Sequence, residues 1–157
     1  MKVQPNPIKT HAQQIGVKES NIQTPHSLKL TSPKFAKQAQ EFHDWLHDVD
    51  PDFIVVIAYG KIIPQTILDI PHVAPINVHG SLLPSYRGAS PLQTVFLDNQ
   101  SKTGVTIMVM NAKLDEGDIL SKKEIKIPLD WTAKELIEKM KEVGPSLLLK
   151  TLRAYGK

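Results

Sequence analysis

The sequence predicts an α/β domain in which helices alternate with the strands of a mostly parallel sheet. Two observations carry that expectation. FIVVIA at 53–58 is a continuous β-branched run, the composition of a strand covered on both faces. Along the rest of the chain, apolar residues switch between helical three- and four-residue steps and short strand-like runs. The 157 residues are about one domain by length and suffice for a real core.

The elements follow in order. Asn6 caps a short helix with Pro7 at its first position; Ile8, Ala12 and Ile15 share one side, and Gly16 stops it. NIQTP at 21–25 is extended. Ser32 and Pro33 open a second helix whose face is Phe35, Ala39, Phe42, Leu46 and Val49, and DPD ends it. After the 53–58 strand, a short helix covers Gln65 to Asp69, and PINVH at 75–79 is the next strand. Ser90 and Pro91 repeat the cap-plus-proline start, with Leu92, Val95 and Phe96 on the helix face. TGVTIMVM is a strand. ILSKKEIKI at 119–127 alternates apolar and polar residues, which suits a half-exposed antiparallel or edge strand. Thr132 and Glu135 form a capping box that starts a helix running to about Leu152. An α/β chain usually opens with a strand and a glycine turn, whereas this one opens with the proline-bearing MKVQPNPIK.

Composition narrows the function classes. Apolar content is 41% and charged content 22%, as in soluble globular proteins. No apolar run of about 18 residues suggests a membrane span, and MKVQPNPIK has no signal-like apolar core. Cysteine is absent, which rules out disulfides and thiolate metal sites and fits a reducing cytosol. A net charge of +3 is a weak pointer to nucleic acid. His43 and His47 stand i,i+4 but lack a third ligand, so they read as a solvated face and no metal site is expected.

The candidate chemistry lies at strand ends, where parallel α/β sheets place their ligands. Asn77 and His79 close INVH, two residues apart and therefore on one side of a strand. Asp115 follows GVTIMVM, and AYGKII follows FIVVI. An amide and an imidazole can hold the oxyanion built when a carbonyl is attacked, at about 2.7–4 kcal/mol for a well-placed donor. A carboxylate can orient the imidazole and accept a proton. No serine is obviously paired with a base, which favours direct acyl transfer over a covalent intermediate. From spacing alone, the alternative is a turn amide, a hydrogen-bonded histidine and a loop acid.

INVHGSLLPSYRGASPLQ followed by TGVTIMVMNAKLDEGDIL resembles the folate-dependent formyltransferase family. The family's Asn-x-His, its Ser-Leu-Leu-Pro loop and its Asp in a Leu-Asp-x-Gly turn stand here in order. The methionyl-tRNA branch is the most similar. VQPNPIKTHA, RGASP (Ser90 replacing the usual Ala) and MNAKLDEGDIL resemble its segments. The ribotide branch normally has Pro where Gly80 stands, and the sugar-nucleotide branch a larger basic residue where Ala89 stands.

The resemblance implies a Rossmann-like three-layer α/β/α fold and a cytoplasmic enzyme. It implies formyl transfer from 10-formyltetrahydrofolate to the α-amine of initiator methionyl-tRNA. Sugar-amine or ribotide N-formylation, or folate binding without turnover, are the alternatives. Residues 1–157 would be part of the catalytic domain, without its first strand-helix-strand unit and without a C-terminal β-rich tRNA-binding domain. Asn77 would hold the formyl oxygen, His79 would stabilise the oxyanion and shuttle a proton, and Asp115 would orient His79 and help deprotonate the amine. Gly60, Lys61, Ile62 and Ile63, with Asn111, Ala112, Lys113 and Leu114 opposite, would bind the folate, although Ile62 and Ile63 could equally be core. Ser81, Leu82, Leu83, Pro84 and Arg87 would form the substrate loop, with Arg87 on tRNA phosphate or in a salt bridge. Lys2 would be the remnant of a basic tRNA-gripping loop, and Leu83–Pro84 is a candidate cis bond.

Overall fold

The computed structural model describes residues 6–156. Lys2 therefore lies outside the described residues. The chain forms two compact units, one up to Asp48 and one from Val49 onward.

The first unit holds α1 (Pro7–Gln14), a 3-10 turn at Glu19–Asn21 and most of α2 (Ala36–Val49). Asn6 caps α1 as expected, its side-chain oxygen accepting from the Ile8 and Lys9 amides. Gly16 follows with a φ of +87° that glycine adopts without a Cβ penalty. The 3-10 turn was not legible in the sequence; Lys9 and Gln13 both donate to Glu19 at 2.6 Å and tie it to α1. The Lys9 bond, then the Gln13 bond, holds the Glu19 carboxyl below its ordinary value.

Helix α2 starts at Ala36, three residues later than the Ser32–Pro33 start predicts. Ser32 instead closes a turn, its hydroxyl accepting from the Phe35 amide at 3.3 Å. Proline at 33 suits that turn because it lacks an amide proton and has a fixed φ. The buried stripe of α2 is Ala39, His43 and Leu46, not the full Phe35–Val49 face. The solvated-face expectation for His43 is therefore wrong: it is buried, and its Nε2 lies 3.3 Å from the Leu28 carbonyl. A ring with one satisfied polar atom and an apolar body packs well in a small core.

The second unit contains β1 (Phe53–Ile57), α3 (Gln65–Leu68), β2 (Ala74–His79), α4 (Pro91–Leu97), β3 (Lys102–Val109), β4 (Ile119–Lys126) and α5 (Ala133–Tyr155). The strands form one sheet in the order β1-β2-β3-β4. Only β1 and β2 run parallel; β3 is antiparallel to both β2 and β4. The α/β class holds, but the expectation of a mostly parallel sheet does not hold for the described strands. An apolar run reports burial on both faces, and the inner strand β3 has that burial while running antiparallel to both neighbours. The short connection from β3 to β4 suits an antiparallel pair, because a parallel pair needs a crossover of a dozen residues or more.

Two details depart from sequence expectation. Strand β1 is not covered on both faces, since Val55 and Ile57 are 39% and 58% exposed. Ser90 starts α4 in the right place but without a side-chain cap; its carbonyl instead accepts from the Thr94 amide. The half-exposed β4 behaves as expected at the end of the sheet order, with Ile125 and Ile127 buried.

The core gathers Ala74, Ile76, Val95, Val105, Ile107, Ile125, Ile127 and Leu136. Helix α5 lays Leu136 against β3 and β4 and meets α4. Thr132 caps α5 by accepting from the Lys134 amide, and Glu135 accepts from the Thr132 amide, completing the capping box. The Thr132 hydroxyl bond, then the Thr132 amide, holds the Glu135 carboxyl below its ordinary value of 4.5.

Two stability outcomes follow from this packing. Leu136 is fully buried, so Leu136→Ala should lower unfolding free energy by about 2–5 kcal/mol in urea titrations near neutral pH. Thr132→Ala should cost about 1 kcal/mol. The depressed Glu135 value contributes stability above pH 4.5 that is lost as pH falls through its lower folded value. Urea midpoints measured across that acid range should therefore fall less steeply in Thr132→Ala than in the parent chain.

Candidate active site

Strand β2 ends by carrying two polar side chains toward one carboxylate. Asn77 and His79 lie two residues apart, and the two-residue pleat points them to one side. Asn77 Nδ2 donates to Asp115 Oδ1 at 3.4 Å. His79 Nε2 stands 3.2 Å from Asp115 Oδ2. The three residues singled out in the sequence therefore meet.

The route that brings Asp115 there differs from the expected one. Because β3 is antiparallel to β2, its last residue, Val109, pairs with Ile76. The loop 110–118 must fold back to deliver the carboxylate. Met110 donates its amide to the Pro75 carbonyl at 2.8 Å, and Val109 donates to the Asp118 carbonyl at 2.9 Å, which pins both loop ends. Gly117 allows the close approach: a Cβ there would stand 1.8 Å from the Val109 carbonyl oxygen. Asp115 itself has a φ of +52°, a left-handed conformation that Asp tolerates better than most residues.

Burial makes the arrangement electrostatically strong. The side chains of His79 and Asp115 are only 6% and 8% exposed. A buried carboxylate requires donors, and the Gly88 amide supplies another at 2.8 Å to Oδ2. Gly88 has a φ of +98°, which explains the glycine that ends the SYRG stretch. His79 Nε2 is close to Asp115 but off the hydrogen-bond axis, so among the described residues this buried atom has no aligned partner. The 3.2 Å approach is a close contact in which the ring nitrogen stands beside the carboxylate.

The loop after β2 is anchored more deeply than the sequence suggested. Ser81 is fully buried and Leu83 nearly so, and their side chains form part of the core side of the loop. Ser81 Oγ lies 3.1 Å from His79 Nδ1 and donates to the Ser85 carbonyl at 2.7 Å. A serine is thus beside the histidine, contrary to the sequence expectation that none pairs with a base. Thr106 donates to the Ser81 carbonyl at 2.6 Å and accepts from the Leu83 amide at 3.1 Å. Lys122 donates to the Leu83 carbonyl at 3.0 Å. Leu83–Pro84 is cis, as expected. Thr106, Lys122 and Gly88 were missed; a threonine between Val105 and Ile107 in an apolar strand was the available signal for the first.

The other expected site residues divide. Arg87 forms a 3.8 Å ion pair with Glu116, the salt-bridge alternative. Asn111 accepts from the Lys113 amide at 2.9 Å and shapes the start of the loop that carries Asp115. Leu114 is exposed, and so is Ile62, at 76%, which excludes ordinary core for Ile62. Ile63 is half-buried, and Gly60 turns the chain after β1 with a φ of +72°. Nearby Tyr59 has its phenol raised above the ordinary value by burial; that of Tyr86 is raised by burial and then by Asp98.

The arrangement offers an amide donor, an imidazole and a carboxylate around one point, the equipment for stabilising an acyl-transfer oxyanion and moving a proton. Comparison with known proteins agrees with that chemistry. The formyl transferase family model matches residues 6–152. Methionyl-tRNA formyltransferase of Caldicellulosiruptor saccharolyticus is 46% identical over 81% of this chain and 41% of that protein. Phosphoribosylglycinamide formyltransferase from Bacillus halodurans is 29% identical over 78% of this chain and 63% of that one, with a TM-score of 0.67. Formyltetrahydrofolate deformylase from Pseudomonas syringae pv. tomato is 25% identical over 78% of this chain and 42% of that one, with a TM-score of 0.69. The chain spans about half the length of the curated relatives it matches. With its Asn-x-His strand end, its buried aspartate and a family match across nearly all its described length, the chain belongs to the formyl transferase family.

Proposed function

We propose that this chain carries the catalytic site for transferring a formyl group from 10-formyltetrahydrofolate to the α-amine of methionyl-tRNA. The observation that carries the reading is the convergence of Asn77, His79 and Asp115, with the buried Nε2 of His79 lacking an aligned acceptor among the described residues. An N–H in that position can donate to a formyl oxygen without reorganising.

In this reading, Asn77 Nδ2 and a protonated His79 Nε2 hold the formyl oxygen as the amine adds to the formyl carbon. Asp115 stabilises the imidazolium and draws the proton off the attacking nitrogen. The C–N bond to the amine forms, the bond from the formyl carbon to the folate nitrogen breaks, and that nitrogen takes up the displaced proton. Ser81 makes no bond to carbon, because its hydroxyl is buried and already donates to Ser85. The exposed Gly60–Ile63 turn and the Asn111–Leu114 segment are the proposed folate walls.

The choice of acceptor rests on similarity rather than on packing. Gly80 has ordinary room for a side chain, its nearest neighbours being Met140, Pro91 and Leu92 at 3.7–3.9 Å from a built Cβ. The glycine is therefore not what excludes a ribotide. The 46% identity to a methionyl-tRNA enzyme against 29% to a ribotide enzyme favours the tRNA. A separate tRNA-contacting domain is proposed for the part of the relatives' length that this chain does not span.

Formyl transfer to charged initiator tRNA and to glycinamide ribotide, followed side by side with labelled formyl donor, tests the reading. Asn77→Ala should lower the rate on methionyl-tRNA by about 10²–10³. Equal rates for parent and Asn77→Ala would sink the role of the amide, and a faster ribotide reaction would sink the acceptor. Folate binding by calorimetry without transfer to either acceptor would make this piece a binding module.

Gly117→Ala offers a separate check on the loop. The added Cβ must displace the Val109 carbonyl, so the variant should lose activity comparably to Asp115→Asn while unfolding about 1–3 kcal/mol more easily. Full activity in Gly117→Ala would show that Asp115 does not depend on that close approach.

A further inference from the structure

We infer that Ser81 is a positioning residue that fixes the tautomer of His79, keeping a proton on Nδ1 and making Nε2 the nitrogen that exchanges protons with the reacting centre. The catalytic meaning of this inference rests on the formyl-transfer reading; the tautomer itself does not.

The Ser81 hydroxyl has one hydrogen to give and lone pairs to accept with. Its neighbours are the Ser85 carbonyl at 2.7 Å, His79 Nδ1 at 3.1 Å and the Tyr86 carbonyl at 3.5 Å. A carbonyl oxygen can only accept. At 2.7 Å the Ser85 contact must contain the Ser81 hydrogen, since otherwise two lone-pair oxygens would face each other at hydrogen-bond distance. With its hydrogen committed, Ser81 can offer His79 only a lone pair. Nδ1 must then be the donor, in the neutral ring and in the imidazolium alike.

The position of Ser81 is itself fixed. It is fully buried, and its carbonyl accepts from Thr106 at 2.6 Å. Thr106 has no freedom to reverse, because it also accepts from the Leu83 amide. Ser81 from the following loop stands at Nδ1 and Asp115 from the loop after β3 at Nε2, while Thr106 of β3 pairs with His79 in the ladder and binds the Ser81 carbonyl. Asp115 is the ionisable one among them; it stands 3.2 Å from Nε2 but off the hydrogen-bond axis, so no aligned bond on that side competes with Ser81 for the ring proton. The ring thus has an invariant side, set by Ser81, and a variable side, set by Asp115 and whatever binds. Without Ser81, the carboxylate would draw the single proton of the neutral ring to Nε2 and leave Nδ1 bare. That tautomer could still donate to an oxyanion, but its bare nitrogen would face the protein interior, where no proton can be delivered.

Long-range proton–nitrogen correlation spectra of the ¹⁵N-labelled chain, recorded where the histidines are neutral, read the tautomer directly. His79 is assigned by the signals lost in His79→Gln. The parent chain should show a protonated Nδ1 and a bare Nε2. Folded Ser81→Ala should lose that preference, with the Nε2 signal shifting toward the protonated type. A parent chain with its proton on Nε2, or a folded Ser81→Ala with Nδ1 still protonated, would overturn the assignment. Amide spectra report whether Ser81→Ala folds, and if it does not, the parent tautomer decides alone. No folate or acceptor enters the measurement, so failure of the formylation assay leaves this result standing.

Discussion

The structure around the candidate site depends on one buried carboxylate. Asp115 is acidic, almost fully enclosed and held in a left-handed backbone conformation, each of which costs free energy. It is tolerable because donors from separate segments converge on it, the Asn77 amide from β2 and the Gly88 amide from the following loop, while the His79 ring stands beside Oδ2. Each donor also fixes the part of the chain it comes from. The carboxylate therefore organises the end of β2 and two loops at once, and its removal would leave buried polar groups without partners as well as removing a charge.

A second constraint holds the loop that faces it. His79, Thr106 and Lys122 occupy one cross-strand row, paired across β2, β3 and β4. Thr106 and Lys122 both bind the main chain of the loop that leaves His79, through Ser81 and Leu83. The sheet thus fixes the loop directly, using side chains in register with the histidine it serves. A loop tied in this way is a rigid wall, which is what preorganised electrostatic stabilisation requires. The sequence described it as a substrate loop, and the burial of Ser81 and Leu83 shows that part of it is better described as support.

The sequence disclosed the chemistry better than the topology. Asn77, His79 and Asp115 were legible because amide, imidazole and carboxylate at strand ends are unusual, and because their motifs resemble a family. The elements were legible because helices and strands impose periods on apolar residues. The direction of β3 was not, since its almost continuous burial reads like a covered parallel strand although both of its neighbours run antiparallel to it. His43 was misread because an imidazole on an amphipathic helix has no sequence mark that separates a satisfied buried ring from a solvated one. Gly88 and Thr106 act through a backbone amide and through a bond to main chain, interactions that pair residues far apart in sequence and leave no local pattern.

The unexpected strand direction is what makes the loop 110–118 necessary. Had β3 run parallel to β2, its carboxyl end would lie beside His79, and a short turn could have presented an acid there. Running antiparallel, β3 ends beside Ile76, and the chain must return along the sheet before it can place Asp115. That return demands a residue without a side chain at Gly117 and a left-handed aspartate two residues earlier. The spacing of the Leu-Asp-x-Gly turn is therefore a consequence of sheet topology. The aspartate supplies the charge, and the glycine two positions later lets the returning chain pass against Val109. A motif that reads as purely chemical in the sequence is, in the folded chain, also the solution to a problem of strand direction.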